Sequence, residues 1–261
     1  MPMNETQQQI LKVQTFYKGI RDTAHKTYKA VIVSPFSQSM EPVSSFLKIG
    51  EKTQDGICQA LVNAWIAAHA NEGSIWNEIY TNVHGIPSIQ LSKMSQLLLD
   101  FTASINDTSI SMGPYQKLNS EIYLMKHGVI PRMDMGSGHR LYGEGYKVNT
   151  GTGKIDADPG LSHKIISGLK MCKSYGRGVG SYAMVSFKSA KGGHVVALYL
   201  GGTGGAKGQL PFSDVAFFDP NFGEFWFDNA ANFANFFVFL LGRFYSSYGG
   251  WQIRNFGVKV N

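Results

Sequence analysis

Apolar side chains at Ile10, Val13, Phe16, Tyr17 and Ile20 recur every three or four positions through residues 5–28, the spacing that predicts an amphipathic helix. "YKAVIVS" then reads as a short strand, closed by "PFSQSMEP". From residue 55 to 70 the period is helical again: Leu61, Ala64, Trp65 and Ala68 share one face, Asp55 stands where an N-cap belongs, and Gly73 is the stop. "SIQLSKMSQLLLDFTASI" (88–105) and "YQKLNSEIYLMKHG" (115–128) extend this helical half. Residues 128–160 are rich in Gly, Pro and Asp and read as a long surface loop or irregular hairpin. Segments of that kind often line a site. A short helix at "LSHKIISGLKMCKS" follows.

Beyond Gly180 the pattern changes. "SYAMVSFKS", "GGHVVALYLGG", "DVAFFDPN", "GEFWFD" and "WQIRNFGVKV" are β-branched and aromatic runs separated by Gly, Asp and Asn, which predicts an antiparallel meander. One helix, about 229–245, interrupts it, with Asp228 as its cap and Phe233, Phe236, Phe237, Phe239 and Leu240 as core packing. Helices first and a sheet afterwards make an α+β fold in which one layer packs on the other. We divide the chain into an N-terminal helix and strand extension, 1–50, and a single globular unit, 51–261. No internal repeat is evident. The Gly-rich "LGGTGGAKGQ" lacks the GK[ST] ending and the following helix that a phosphate loop needs.

Composition adds bounds. With 261 residues, 43% hydrophobic and 16% charged, a packed core is expected. The most apolar run, Phe233 to Leu241, is too short to span a bilayer, and the first residues lack the basic and apolar regions of a Sec signal. The chain is therefore expected to fold in a cytoplasm or to leave it by a machine that reads no cleavable signal. A net charge of +6 favours anionic surfaces, acidic membranes included. The lysines and arginines are scattered, however, so specific nucleic-acid binding is not expected. With two cysteines and no CxxC, a cysteine-rich zinc site is excluded. No spacing of His, Asp and Glu suggests another metal site, and no cofactor is expected.

Reactivity could reside in one of those cysteines. Cys58 falls at the start of an expected helix, where unpaired backbone N–H groups and the helix dipole favour a thiolate. A reactive thiol needs a base, and the base needs an orienting acceptor. Of seven histidines, His194 is the best placed: it follows two glycines and heads a run of alternating apolar residues that would anchor it to the sheet. Asp219, at the end of "DVAFFD" and before a Pro-Asn turn, is the matching acceptor, with Asp214 and Asp228 as rivals. Taken singly, each has a plain reading: a core cysteine, a sheet histidine, a turn aspartate. Cys172, mid-helix beside Met171, reads as packing, and His139 as a loop residue.

The order Cys, His, Asp and the contexts "DGIC" with "LVNAW", "GGHVVAL" and "FFDPNFGEF" resemble the papain-like cysteine proteases, and more closely the YopT/AvrPphB family of bacterial effector proteases. The resemblance implies a papain-like fold in which the nucleophile helix packs on a C-terminal antiparallel sheet. It makes Cys58 the nucleophile, His194 the general base and then acid, and Asp219 the orienting acceptor. It also implies an amide donor shortly before the nucleophile, for which Gln54 is the candidate although one position off the expected spacing, with the Cys58 backbone N–H as the second oxyanion donor. His194 and Asp219 stand 25 residues apart, further than the family's pattern, with "GTGGAKGQLPFS" supplying the excess as a longer hairpin.

The implied partner is a protein or peptide substrate, and the implied setting a bacterial effector or toxin delivered into another cell. Two other classes fit the residues. The same triad could run glutamine deamidation, transglutamination or cleavage of a cell-wall peptide, since each is acyl transfer through a thioester. A non-enzymatic basic adaptor would also carry these segments. Substrate sequence and oligomeric state are not legible.

Overall fold

The computed structural model describes residues 5–49, 57–83, 86–102, 120–132, 140–144, 146–148, 155–157, 165–169, 181–189, 192–201, 213–245 and 250–258. The α+β expectation holds. Helices α1 (Glu5–Tyr28), α2 (Val43–Ile49), α3 (Cys58–Ala70), α4 (Ile75–Ile79) and α5 (Leu91–Thr102) dominate the first half, joined by β1 (Val31–Ser34) and the small hairpin β2 (Tyr80–Val83) and β3 (Ile86–Ile89). The second half holds β8 (Ser181–Ser189), β9 (Gly192–Gly201), β10 (Asp214–Asp219), β11 (Gly223–Phe227), α8 (Ala230–Leu240) and β12 (Gly250–Val258). Between the halves lie α6 (120–126) and α7 (165–169). There too are β4 (Val129–Pro131), β5 (Arg140–Glu144), β6 (Tyr146–Val148) and β7 (Ile155–Ala157).

The main sheet runs β1-β11-β10-β9-β8-β12-β4, with β5 also paired to β12, and every ladder in it is antiparallel. The expected meander is β8 to β11. β12 returns to the far side of β8 after the helical interruption, because α8 must cross the sheet before the chain can pair again. The N-terminal segment is part of this sheet: β1 lies on β11, with Val31 opposite Trp226. Residues 128–160, expected as a long surface loop or irregular hairpin, contribute β4 and β5 to the same sheet and a separate β6-β7 hairpin.

Two hydrophobic cores sit on opposite faces. Period-2 alternation along β10 divides them: Val215 and Phe217 point into one core, Ala216 and Phe218 into the other. The first core is covered by α1 and α8, with Phe236 of α8 meeting the rings of Phe217, Phe225 and Phe227. The second is covered by α3, which rests on β9 and β10 and is backed by α4 and α5. The single apolar face expected for α3 is an underestimate. Its residues from Ala60 to Ala67 are all buried, so this is a central helix, apolar all round because protein surrounds it.

Two local details set how α3 and the β10-β11 turn are held. The buried Glu224 of β11 accepts a hydrogen bond from Trp76 Nε1 on α4 and is hydrogen-bonded by Trp65 of α3. One carboxyl thereby fastens two helices to one strand; burial pushes its pKa up against the opposing effect of the two indoles. Gly223, which opens β11, has φ +106°, and a Cβ there would lie 2.2 Å from the Ser34 carbonyl oxygen. Only glycine accommodates both the backbone and the close approach of β1.

Candidate active site

Helix α3 begins at Cys58 rather than at Asp55, and its N-cap is Ile57, which makes no side-chain capping bond. Asp55 lies outside the described residues. The first backbone bond closes from Leu61 N to Ile57 O at 3.0 Å, so the N–H groups of Cys58, Gln59 and Ala60 have no intrahelical acceptor. No acidic side chain lies in this first turn. Cys58 is therefore the first helical residue, buried at 7% exposure, with the positive end of the helix dipole around its sulfur.

His194 and Asp219 come together through sheet register. The β9-β10 ladder runs from Asp214 opposite Gly201 to Phe218 opposite Ala197. Its next step sets Asp219 across from Val196, and His194 is the diagonal neighbour on the same face. His194 Nε2 lies 2.9 Å from Asp219 Oδ1. Asp219 Oδ1 also accepts the Asn221 backbone N–H at 2.9 Å, a local turn bond typical of Asp before Pro-Asn. With Nε2 turned to the carboxylate, Nδ1 is the ring nitrogen left for the thiol. Cys58 and His194 are hydrogen-bonded through their side chains.

The electrostatics follow from that chain of contacts. Burial disfavours the imidazolium, but the Asp219 charge, the Asp219 hydrogen bond and Cys58 outweigh it and push the His194 pKa up from the ordinary 6.5 to about 10. His194 is thus held as a cation beside the sulfur. His194 pairs with Phe187 across β8 and β9 and shares its face, the α1/α8 side, whereas Cys58 belongs to the α3 core. Cys58 and His194 are therefore supplied by opposite faces of one sheet and meet at its end.

Of the rival acceptors, Asp214 pairs at the far end of β10 opposite Gly201. Asp228, expected to cap α8, does not: the Asn229 side chain accepts from Ala231 N and Asn232 N instead. Gln54, Cys172 and His139 lie outside the described residues. Among the described residues no three His, Cys, Asp or Glu side chains gather as a metal site.

Tyr245 is a member of the site that local sequence patterns do not reveal. It ends a π-helical turn, Leu241–Tyr245, that continues α8. Its hydroxyl donates to Asp219 Oδ2 at 2.5 Å, and its ring stacks on His194, centroids 5.1 Å apart and 13° from parallel. It also stacks on Phe187 at 4.9 Å and 4°. Gln38 was missed as well: it donates to Asn221 Oδ1 at 2.9 Å and bonds Pro220 O through its backbone N–H, so the segment after β1 buttresses the Asp219 turn. The only sequence signal for either is a polar tip within an apolar setting.

The profile of a peptidase family described as Yersinia/Haemophilus virulence surface antigen matches residues 177–258, the span that holds His194 and Asp219. The cysteine protease yopT1 of Yersinia enterocolitica is 28% identical over 190 residues, 71% of this chain and 50% of that protein. The chain is thus similar to the YopT-type cysteine proteases. The cysteine protease YopT of Yersinia pestis is 26% identical over the same share, and the chain spans about half the length of the curated relatives it matches. Among solved structures it is similar to the Pseudomonas avirulence protein AvrPphB, at 16% identity and TM-score 0.46 over 80% of this chain and 95% of that one. It is also similar to PatoxP, a cysteine protease-like domain of a Photorhabdus asymbiotica toxin, at 15% identity and TM-score 0.40 over 95% of this chain and 60% of that one.

Proposed function

We propose that the chain is a cysteine protease that cleaves a protein substrate by acyl transfer through Cys58, His194 and Asp219. The observation that carries this reading is the buried run of contacts from Cys58 at a helix N-terminus through His194 to Asp219. The Cys58 thiolate attacks the scissile carbonyl carbon, and the electron pair moves to the carbonyl oxygen. That oxyanion is stabilised by the Cys58 backbone N–H and, in our assignment, by Gln54. The His194 imidazolium passes its proton to the leaving amine as the C–N bond breaks, leaving a thioester on Cys58. Neutral His194 then takes a proton from water, whose oxygen attacks the thioester and releases the acid and the thiolate. Asp219 keeps the imidazole in the tautomer and orientation both steps need.

The same chemistry extends to a setting. We assign the protein as a bacterial effector delivered into another cell, as the family resemblance suggests, with a protein as its substrate. Among the described residues no helix is long and apolar enough to cross a membrane.

The test compares wild type with Cys58→Ala. A thiol-directed epoxide should label wild type at Cys58 and leave Cys58→Ala unlabelled. New protein N-termini in a proteome treated with wild type should be missing after treatment with Cys58→Ala. Mass spectrometry separates the alternatives, since a one-dalton side-chain shift without scission would replace proteolysis by deamidation. Equal labelling of both proteins would end the enzyme reading.

A further inference from the structure

The geometry assigns Tyr245 as the positioning residue of the triad, an inference that rests on the thiol chemistry proposed above. One side chain makes two contacts with two different members. Its hydroxyl donates to Asp219 Oδ2, and its ring lies nearly parallel to the His194 imidazole, 13° apart. All three groups are buried: Tyr245 at 2%, His194 at 4% and Asp219 at 0% exposure.

The division of labour around Asp219 gives the hydroxyl its role. Both His194 Nε2 and the Asn221 N–H use Oδ1, and Tyr245 takes Oδ2. A carboxylate held through one oxygen can turn about its Cβ–Cγ bond, but one held through both keeps Oδ1 aimed at the imidazole. In a water-excluded site a carboxylate oxygen without a donor is also costly. Tyr245 therefore keeps the acceptor aimed while its ring limits tilting of the base. The stack on Phe187, which is the cross-strand partner of His194, holds the tyrosine ring itself in place.

The backbone supports the same role. Tyr245 stands at the end of the π-helical turn that continues α8. Such widened turns are rare and gather at functional sites, because they re-aim the residue that follows them. Here the re-aimed side chain leaves the phenylalanine row of α8 and meets the two polar groups at the sheet end.

The test needs no substrate. Cys58 is alkylated with iodoacetamide at neutral pH, and the peptide that contains it is followed by mass spectrometry. Tyr245→Phe keeps the ring and removes the donor, and it should slow alkylation about tenfold, the scale of one hydrogen bond to a charged group. In an Asp219→Asn background the same substitution should cost less than twofold, because its effect runs through Asp219. Placing 3-fluorotyrosine at 245 keeps ring and hydroxyl and should react at least as fast as wild type, a control that holds even where Tyr245→Phe folds poorly. An unchanged rate in Tyr245→Phe, a full tenfold cost in the Asp219→Asn background, or a slow fluorotyrosine protein overturns the assignment while leaving the protease reading intact. A wild-type Cys58 that reacts no faster than free cysteine overturns both.

Discussion

His194 is the residue on which the site's electrostatics turn. Its environment contains one strongly opposing influence, burial, and two charged or hydrogen-bonding partners, Asp219 and Cys58, that prevail over it. Removing the larger partner should shift the balance. In Asp219→Asn the titration midpoint of His194, followed by its ring signals in NMR, should fall well below about 10, since burial is then opposed by Cys58 alone. The same pairing shapes stability against pH. A pKa raised by folding means that the folded chain binds the proton more tightly, so the stabilisation is full below 6.5 and is lost as pH rises through about 10. Urea unfolding between those limits should show a declining stability in wild type and a flatter profile in Asp219→Asn. Identical profiles would disprove the ion-pair account. Cys58, His194 and Asp219 are nominated by the sequence because each carries a local signal: a helix start, a strand start and a strand-ending turn. Tyr245 carries none, because a tyrosine after an aromatic helix looks like packing until Asp219 is beside it.

Among the elements, α3 matters most because its N-terminus holds the thiol. Its seating does not rest on apolar contact alone. Glu224 of β11 binds the indoles of Trp65 on α3 and Trp76 on α4, so Glu224→Ala would leave one buried and one half-buried N–H donor without an acceptor. Each such group costs about 1–3 kcal/mol, and chemical denaturation should show a loss in that range or above. Iodoacetamide reactivity at Cys58 should also become heterogeneous as α3 shifts on the sheet. A loss below about 0.5 kcal/mol would mean that water replaces the carboxylate at no cost. The start of α3 shows why boundaries are hard to read. Asp55 is a good capping residue by type, yet the helix begins at Cys58 behind an uncapped Ile57. Propensity favours a cap, but burial of the whole helix against β9, β10, α4 and α5 supplies more energy than one capping bond. Similarly, β4 and β5 arise in a Gly- and Pro-rich stretch with weak local preference, because the open side of β12 offers them a partner.

At the scale of the molecule, one antiparallel sheet separates two cores, and each core has its own helices. The α8 side is a nearly continuous aromatic cluster in which Phe236 also reaches Tyr28 of α1. Phe236→Ala should cost about 3–5 kcal/mol, measured by urea denaturation, because both the sheet and α1 lose contacts at one point. A cost under about 1 kcal/mol would show that the cluster can collapse to fill the space. The proposed triad draws on both sides of this divide, with the thiol from the α3 core and the imidazole and carboxylate from side chains facing the α8 core. By itself the sequence determined the α+β class, the meander from β8 to β11 and the family resemblance, and it nominated three side chains for the site, because these depend on local periodicity and side-chain chemistry. Only the tertiary structure decided that Cys58 heads a largely buried helix, that Glu224 anchors it, that β1 joins the main sheet, and that Tyr245 closes on Asp219. Each of these is a contact between residues far apart in the chain, fixed by which surfaces must be buried together, and no local pattern encodes it.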